Sequence, residues 1–378
     1  MPAAVGKLSI FTHFSRLRDP RIERTKKHRL MDIIGLTICA VIANAEGWEE
    51  IEAYGKEKFE FLKTFLELPN GIPSHDTIER VFQRIKPAEF QHCFCEWTQA
   101  LARELGLKHV AIDGKSLRHS FDRAAAQSAL HLVSAWSVEN HLVLAQQAVD
   151  DKSNEIRAIP QLLKLLELEG AVVTIDAMGC QKEIAQLIVE QKADYVLAVK
   201  DNHPKLYEYL RSYFLHLHET DFAGISCDRR VTRDKGHGRR EERRYFTTAV
   251  PSELREQFPE WAGLQSIGQA INITHRNGEE TSEVRFFISS LKSNAGRLAK
   301  AVRGHWGIEN SLHWVLDVTF EEDRSRIRKG HGPENFALLR RLAIALIKRA
   351  NLKGSIRRHR KTAGWSNDHL LTLLAAAG

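Results

Sequence analysis

Between residues 109 and 217 short apolar segments alternate with amphipathic ones, and this alternation constrains the fold more than any other feature of the sequence. Short apolar runs are typical of buried strands, whereas apolar residues at every third or fourth position are typical of helices. The segments follow the order strand, strand, strand, helix, strand, helix, strand, helix. That order predicts an α/β fold with a mixed sheet, one antiparallel hairpin and parallel crossovers.

The predicted strands are apolar runs bounded by turn residues, and the predicted helices show amphipathic spacing. We predict strands over residues 109–113, 130–138, 141–149, 171–176 and 195–199, and helices over 154–168, 181–192 and 204–217. Glu139 and Asn140 separate the second strand from the third, and they predict the turn of a hairpin.

The regions on either side of this alternation have a different character. Residues 1–105 predict helices over 31–44, 49–68, 76–85 and 87–105. Residues 219–290 are basic and then strand-rich, with strands over 245–250, 267–274 and 284–289 and a turn at Asn277–Gly278, and helices over 295–317 and 333–351 follow. We therefore predict a helical N-terminal domain (1–105), the first part of an α/β core (106–218), a β-rich basic insertion (219–292) and a helical completion of the core with a basic C-terminal segment (293–378).

The composition is that of a soluble globular protein. Of the 378 residues 43% are hydrophobic, and no apolar run approaches the ~18 residues needed to cross a bilayer. The N-terminal segment lacks the apolar stretch and cleavage site of a signal peptide. Five cysteines are too few for a disulfide scaffold, and Cys93 and Cys95 have no second pair that would support a structural zinc site. We therefore expect a cytoplasmic protein without membrane contact.

The formal net charge of +7 is unevenly distributed along the chain. Thirteen Lys and Arg residues face one acidic residue between Arg324 and Lys361, so the rest of the chain carries a net charge of −5. Between Asp228 and Arg244 eight basic residues face four acidic ones, and a third basic run lies near the N-terminus. Each run alone is also compatible with a solvated surface. Together they favour nucleic acid as a partner and a location at the nucleoid.

Two aspartates occupy the same position relative to their predicted strands. Asp113 follows HVAI and precedes Gly114, and Asp176 follows AVVTI and precedes the turn AMG. Ligands of α/β sheets collect at the carboxyl ends of the strands, and hard divalent cations prefer carboxylate oxygens. The pair therefore indicates a metal site, although an aspartate in this position can also merely cap the following turn.

A further acidic residue lies in the segment RGHWGIENSLHWVLD, residues 303–317. His305, Glu309, His313 and Asp317 recur at intervals of four and share one face of the predicted helix. Three interpretations follow from these residues: a helix that packs between domains, a zinc site of the histidines and the glutamate, or a carboxylate that joins the two aspartates. No H-E-x-x-H motif supports zinc hydrolysis, and two Trp and two His interrupt the apolar pattern of an ordinary surface helix.

At the level of longer segments, the chain resembles the DDE insertion-sequence transposases, specifically the H-repeat-associated transposase proteins of bacteria. The similar segments are LRDPR (17–21), HRLMDIIGLTICAVI (28–42), LPNGIPSHDTIERVF (68–82), AIDGKSLRHS (111–120), KSNEI (152–156), TIDAMGCQKEIA (174–185), GHGRREERR (236–244) and RGHWGIENSLHWVLDVTFEEDRSRIRKG (303–330). They extend over nearly the whole chain.

This resemblance implies an RNase H-like catalytic core, a helical N-terminal domain that can bind DNA, and a β-rich insertion before the last catalytic residue. It implies that Asp113, Asp176 and Glu309 form an acidic triad that holds two Mg²⁺ ions, with Mn²⁺ as a substitute. The implied activity is metal-dependent cleavage and strand transfer of double-stranded DNA, at the ends of an element and in its target. A homodimer or higher oligomer on DNA is also expected.

Basic and aromatic residues near the strand ends and in the basic runs are expected to contact the DNA. The predicted contacts are Lys115, Arg118, Lys182, Lys200, Arg239, Arg240, Arg303, Trp306, Arg340 and Arg341. Two other functions remain open from the sequence. One is a catalytically inactive remnant that only binds DNA, and the other is a nuclease unrelated to transposition.

Overall fold

The computed structural model describes residues 9–121, 128–149, 155–236 and 238–377. The KSNEI and GHGRREERR segments therefore lie partly outside the described residues, at 152–154 and at His237. The chain divides into two compact units. The helical unit comprises Met1–Gly106, Gly114–Asn154 and Glu309–Gly378, and the sheet unit comprises Leu107–Asp113 and Glu155–Ile308.

The helices and strands that the sequence predicts occur in the predicted order, together with further elements. The α-helices are α1 (Ser9–Phe14), α2 (Leu30–Ile42), α3 (Trp48–Glu57), α4 (Phe59–Leu62), α5 (His75–Arg84), α6 (Pro87–Leu105), α7 (Glu155–Lys164), α8 (Lys182–Glu190), α9 (Pro204–Glu219), α10 (Ser252–Gln257), α11 (Ala295–Ile308), α12 (Trp314–Val318), α13 (Gly332–Arg349), α14 (Ile356–Trp365) and α15 (Asn367–Ala375). The strands are β1 (His109–Ser116), β2 (His131–Ser137), β3 (Leu142–Val149), β4 (Val172–Ile175), β5 (Asp194–Val199), β6 (Cys227–Gly236), β7 (Arg239–Ala249), β8 (Ser266–Arg276) and β9 (Glu279–Ser289).

Within the described residues, nine strands form one mixed sheet in the order β3-β2-β1-β4-β5-β9-β8-β7-β6. β1, β4 and β5 are parallel neighbours. α8 is the crossover from β4 to β5, and the connection from β1 to β4 runs through the hairpin β2–β3 and α7. β2 and β3 form an antiparallel hairpin. On the other side of the sheet, each neighbouring pair in the series β5-β9-β8-β7-β6 is antiparallel. The predicted mixed α/β fold with a hairpin and parallel crossovers is therefore confirmed.

The helical unit is held together around helices that are apolar on nearly every side. Almost all residues of α2 are buried, which is why its sequence shows no polar face. From α6, the indole Nε1 of Trp97 donates to Ala377 O at 2.9 Å, and the hydroxyl of Thr98 donates to Leu144 O at 2.9 Å. These bonds connect α6 to the chain segment after α15 and to the hairpin strand β3. No helix among the described residues is both long and apolar enough to span a membrane.

The two observed units differ from the four predicted segments. The hairpin β2–β3 was predicted in the α/β core, but it groups with the helical unit because it packs on α6 and α13. The single helix predicted over 295–317 is interrupted after Ile308 by a π-helical turn, Glu309–His313. The single helix predicted over 49–68 is divided into α3 and α4, and the elements α1, β6, α10, α14 and α15 were not predicted. The predicted turn at Asn277–Gly278 is confirmed, with φ of +52° and +85°, the left-handed values that this tight hairpin requires.

Candidate active site

Asp113 and Asp176 lie where the pairing of two neighbouring parallel strands, β1 and β4, ends. β1 and β4 pair in register up to Ile112 and Ile175, and each aspartate is the next residue. The backbone of Asp176 is still extended, with φ −65° and ψ 178°. Paired residues of parallel strands point to the same face, and neighbouring strands are about 4.8 Å apart, so the two carboxylates are neighbours on one face. The turn predicted after Asp176 is present, whereas β1 continues past Asp113 to Ser116.

The side chain of Asp176 also stabilises the turn that follows β4. Its Oδ1 accepts hydrogen bonds from the backbone N–H groups of Met178 at 3.1 Å and Gly179 at 3.3 Å. Gly179 is required here, because a Cβ atom would lie 2.2 Å from Ile175 Cγ2. The capping role that the sequence left open is therefore real. Since both bonds are accepted by Oδ1, that role leaves Oδ2 available for a ligand.

A hydrogen-bonded chain of three side chains lies on the same face, two residues behind Asp176. The hydroxyl of Thr174 lies 2.8 Å from His109 Nε2 and 3.2 Å from His305 Nδ1. His109 and Thr174 are buried on β1 and β4, and His305 comes from α11. The chain therefore joins both aspartate-bearing strands to α11. Sequence reasoning missed Thr174, although its spacing of two residues from Asp176 already placed it on the same face of the strand.

A cavity of about 340 Å³ opens beside Asp176 in the sheet unit. It is lined by charged groups, Lys200, Asp201, Glu283 and Arg285, and by aromatic and polar groups, Tyr207, His305 and Trp306. The guanidinium of Arg285 lies over the Trp306 ring, 4.4 Å from its centroid, and the indole is still 41% exposed. Lys200 and Trp306, both predicted to bind DNA, are thus brought together at one cavity with Asp176.

Glu309 directly follows α11 and is the first residue of the π-helical turn. Its Oε2 lies 3.4 Å from Nδ1 of His313, one turn further on. The His313 side chain is almost completely buried, whereas that of Glu309 is 55% exposed. Single π-helical turns inside α-helices are frequent at functional sites, because the extra residue redirects the side chains around it. The chain passes between the two units directly after Asp113 and directly before Glu309.

Lys115 does not lie where a DNA phosphate can reach it. Its ammonium group lies 2.7 Å from Asp317 Oδ1, 3.2 Å from Asp323 Oδ1 and 3.6 Å from Glu322 Oε2. Burial alone would lower the pKa of Lys115, but the carboxylates of Glu322, Asp317 and Asp323 raise it. Lys115 is therefore a buried cation inside an acidic cluster of the helical unit, and the expectation that it contacts DNA is wrong for this structure.

Arg340 and Arg341 require the same correction. Both side chains lie in the core of the helical unit, with exposed fractions of 1% and 0%. Arg341 donates to Glu322 Oε1 at 2.9 Å, and Arg340 lies 3.8 Å from Glu46 Oε2. The two arginines compensate buried carboxylates, so they are not available as DNA contacts. Part of the positive charge between Arg324 and Lys361 is therefore buried in the core of the helical unit.

The other predicted contacts are accessible to a ligand. All six are exposed: Arg118, Lys182, Lys200, Arg239, Arg240 and Arg303. Four of them lie beside a carboxylate: Arg118 beside Asp323, Lys182 beside Glu260, Arg239 beside Glu241 and Arg303 beside Asp234. Arg303 Nη2 lies 3.7 Å from Asp234 Oδ2. Because these side chains are exposed, a polyanion can reach them.

Two family models match the chain. The model described as Transposase DDE domain matches residues 104–346, and the model described as DDE_Tnp_1-associated matches residues 11–98. The chain is 40% identical over 378 residues to "H repeat-associated putative transposase YhhI" of Escherichia coli strain K12, with 98% of each chain covered. It is 48% identical over 77 residues to "Inactive transposase YbfQ" of the same strain, covering 20% of this chain and 92% of that one. A cryo-EM structure of a piggyBac transposase synaptic complex with hairpin DNA covers 98% of this chain and 80% of its own, at 11% identity and a TM-score of 0.44.

Proposed function

The chain belongs to the transposase DDE domain family, and from this premise we propose that it catalyses metal-dependent cleavage and strand transfer of DNA at the ends of an insertion sequence. The observation that carries the proposal is the register of β1 and β4, which sets Asp113 and Asp176 side by side. Glu309 is the proposed third carboxylate. The strand order β3-β2-β1-β4-β5 supports the proposal that the core is RNase H-like.

The donor set fits a hard divalent cation. Asp113, Asp176 and Glu309 offer oxygen atoms alone, and Asp176 caps its turn through only one of its two oxygens. These three residues would hold two Mg²⁺ ions, with Mn²⁺ as a substitute. When bound, the ions neutralise phosphate charge and favour attack by an oxygen nucleophile.

The residues around the cavity bind and orient the DNA strand in this proposal. Lys200 attracts a phosphate next to Asp176, and the exposed indole face of Trp306 offers a stacking surface. Arg118, Lys182 and Arg303 contribute further phosphate contacts. Thr174 and His109 fix the ring of His305, which lines the same cavity.

The proposal extends to the assembly that carries out the reaction. The partners are double-stranded DNA at the element ends and in the target, bound by a homodimer or higher oligomer at the nucleoid. The helical segment 1–105 is a further DNA-binding domain in this account. The basic surfaces of the sheet unit support DNA as the partner.

A second candidate function is an inactive remnant that binds element ends without cutting them. The relative that is named an inactive transposase supports the existence of such forms in this family. That relative is similar to only 20% of this chain, whereas this chain carries all three proposed carboxylates. Cleavage is therefore the stronger proposal.

The two candidates are separated by incubating purified protein with a labelled DNA duplex that ends in the inverted repeats of its own element, with Mg²⁺. Wild type is expected to cut this DNA, whereas Asp113→Asn and Glu309→Gln bind it without cutting. Asp221→Asn, an exposed aspartate of the sheet unit outside the cavity, is the matched control and keeps cutting. Binding without cleavage by wild-type protein supports the remnant instead.

A further inference from the structure

The four antiparallel strands β6 to β9 extend beyond the helices that cover them. Their outer rungs run from Val231, Arg244, Ile271 and Val284 to Gly236, Arg239, Arg276 and Glu279. We call these six rungs the wing. At ~3.4 Å per residue the wing is about 17 Å long. Most of its residues are exposed, so both of its surfaces can meet a partner.

The register assigns every wing residue to one of two faces, because paired residues share a face and successive residues alternate. Thr174 of β4 pairs with Val196 of β5, and Val196 pairs with Ser289 of β9, so these three residues share one face of the sheet. Ala198, two residues after Val196, pairs with Phe287 on the same face. Asp176 and Asp113 therefore share a face with the odd-numbered residues of β9. We call this the carboxylate face and the other the reverse face. Arg239, paired with Arg276, lies on the carboxylate face, and Arg240, paired with His275, lies on the reverse face.

The inner part of the reverse face is covered by α9. The ring of Phe214 packs on Phe286 at 6.0 Å, and the ring of His218 lies 4.8 Å from that of Phe246. Past these residues the face is open among the described residues, with Val231 50% and Val284 42% exposed. The wing therefore presents an aliphatic strip that is not covered by the rest of the described chain.

The two faces of the wing carry opposite net charge. On the reverse face four cations stand against two carboxylates, a net charge of +2 with histidine neutral: Arg233, Lys235, Arg240 and Arg244 against Glu242 and Glu280. On the carboxylate face three cations stand against four carboxylates, a net charge of −1: Arg239, Arg243 and Arg276 against Asp234, Glu241, Glu279 and Glu283. All four cations of the reverse face lie on β6 and β7, and they form a stripe about 14 Å long.

Two of these cations stand directly opposite each other. Lys235 of β6 pairs with Arg240 of β7, and like charges at directly opposed positions destabilise a sheet. On the carboxylate face Arg239 of β7 likewise pairs with Arg276 of β8, but Arg239 has Glu241 Oε1 3.0 Å from its Nε, which compensates its charge. The repulsion between Lys235 and Arg240 lowers the stability of the sheet and does nothing for its folding. A polyanion bound between the two side chains would cancel this repulsion.

We propose that the reverse face of the wing binds the phosphate backbone of double-stranded DNA through Lys235 and Arg240, supported by Arg233 and Arg244. This rests on the proposed function and extends it: the surface lies on the other side of the sheet from the carboxylates, so it holds a DNA segment that is not the strand being cut. Of the two neighbouring arginines predicted to bind DNA, Arg240 makes this contact and Arg239 does not. Bidentate and point-charge contacts of this kind position DNA without reading its sequence.

The test compares two double variants that remove the same charge from the two faces of the wing tip. Lys235→Gln/Arg240→Gln changes the reverse face, and Arg239→Gln/Arg276→Gln changes the carboxylate face. The probe is a 30-base-pair duplex of arbitrary sequence, and affinity is measured without Mg²⁺ over a range of NaCl concentrations. The reverse-face variant is expected to bind about tenfold more weakly. Its slope of log affinity against log salt falls by about 1.8, or ~0.9 for each lost phosphate contact.

The control variant is expected to bind within about twofold of wild type with an unchanged slope. Lys235→Arg/Arg240→Lys, which keeps both charges, restores wild-type binding. Equal losses in both glutamine variants, or no loss in the reverse-face variant, overturn the inference. Cleavage of element-end DNA by wild type is measured in parallel. If wild type binds but does not cut, the proposed function fails alone, and if it cuts while the reverse-face variant binds normally, this inference fails alone.

Discussion

Asp113 and Asp176 stand at matching positions on neighbouring parallel strands, each one residue beyond the facing pair Ile112 and Ile175. Their closeness is set by a hydrogen-bonded ladder and by the sheet spacing, so it does not depend on a loop conformation. Two carboxylates held in this way repel each other at neutral pH unless a cation lies between them. The β1–β4 register, formed by the apolar runs HVAI and AVVTI, therefore places two carboxylates where a divalent cation would stabilise them.

The chain His109–Thr174–His305 is expected to position the residues next to Asp176. Thr174→Val keeps the shape of the side chain but removes the hydroxyl that both histidines contact at 2.8 and 3.2 Å. We expect cleavage to slow by about tenfold to a hundredfold, because small misplacements near a reacting group have effects of this size. Single-turnover cleavage measures the change.

Thr174→Ser is the conservative control for this prediction, since it keeps the hydroxyl and is expected to cut within about threefold of wild type. DNA binding without metal should be the same in all three proteins. If the valine and serine variants cut equally fast, the hydroxyl has no positioning role.

Lys115 is expected to stabilise the helical unit rather than to bind DNA. Lys115→Met leaves Asp317, Glu322 and Asp323 without their shared cation. Removing one partner of a buried charge cluster typically costs about 3–5 kcal/mol, so urea unfolding should occur at a clearly lower concentration. Arg118→Gln removes an exposed cation that contacts the same Asp323, and it should cost less than about 1 kcal/mol. Similar unfolding midpoints for the two variants would contradict the structural role of Lys115.

Glu334 is expected to make the stability of the protein depend on pH. Burial raises the pKa of Glu334 to about 7, from an ordinary value of 4.5. The folded protein therefore holds this proton more tightly than the unfolded chain, and stability falls as pH rises from about 4.5 to 7. Glu334→Gln removes the ionisation, so above pH 7 it should be more stable than wild type by roughly 3 kcal/mol.

Urea unfolding of both proteins at pH 5 and pH 8 tests this prediction. The difference between them should be larger at pH 8 than at pH 5. Glu57→Gln, at the exposed end of α3, is the matched control and should show no such change between the two pH values. A constant difference between Glu334→Gln and wild type would show that burial does not act on this carboxyl group.

Much of the sheet unit was predictable, because its central strands are buried on both faces and read as apolar runs. AVVTI and HVAI show this clearly, and an aspartate follows each of them. β6 was not predicted, because nearly all of its residues are exposed and its sequence, CDRRVTRDKG, has no alternating apolar pattern. Its position is set by pairing with β7, which no local pattern reveals.

The errors at the proposed site have a common physical cause. Lys115, Arg340 and Arg341 were expected on the surface because of their charge, but the acidic residues that compensate them are Glu322 and Glu46, which are distant in sequence. Charge patterns along the chain do not report such tertiary pairing. The π-helical turn at Glu309 was also missed, since an inserted residue leaves the helical spacing almost unchanged.

The central claim is that Asp176 acts in metal-dependent DNA cleavage and does not only cap a turn. Cleavage of element-end DNA by Asp176→Asn in Mg²⁺ tests it most directly, because the asparagine Oδ1 can still accept both turn hydrogen bonds. The account predicts that this variant folds and binds the DNA like wild type, but cuts it at less than about a hundredth of the wild-type rate. Cutting at the wild-type rate by a folded Asp176→Asn protein would contradict the account.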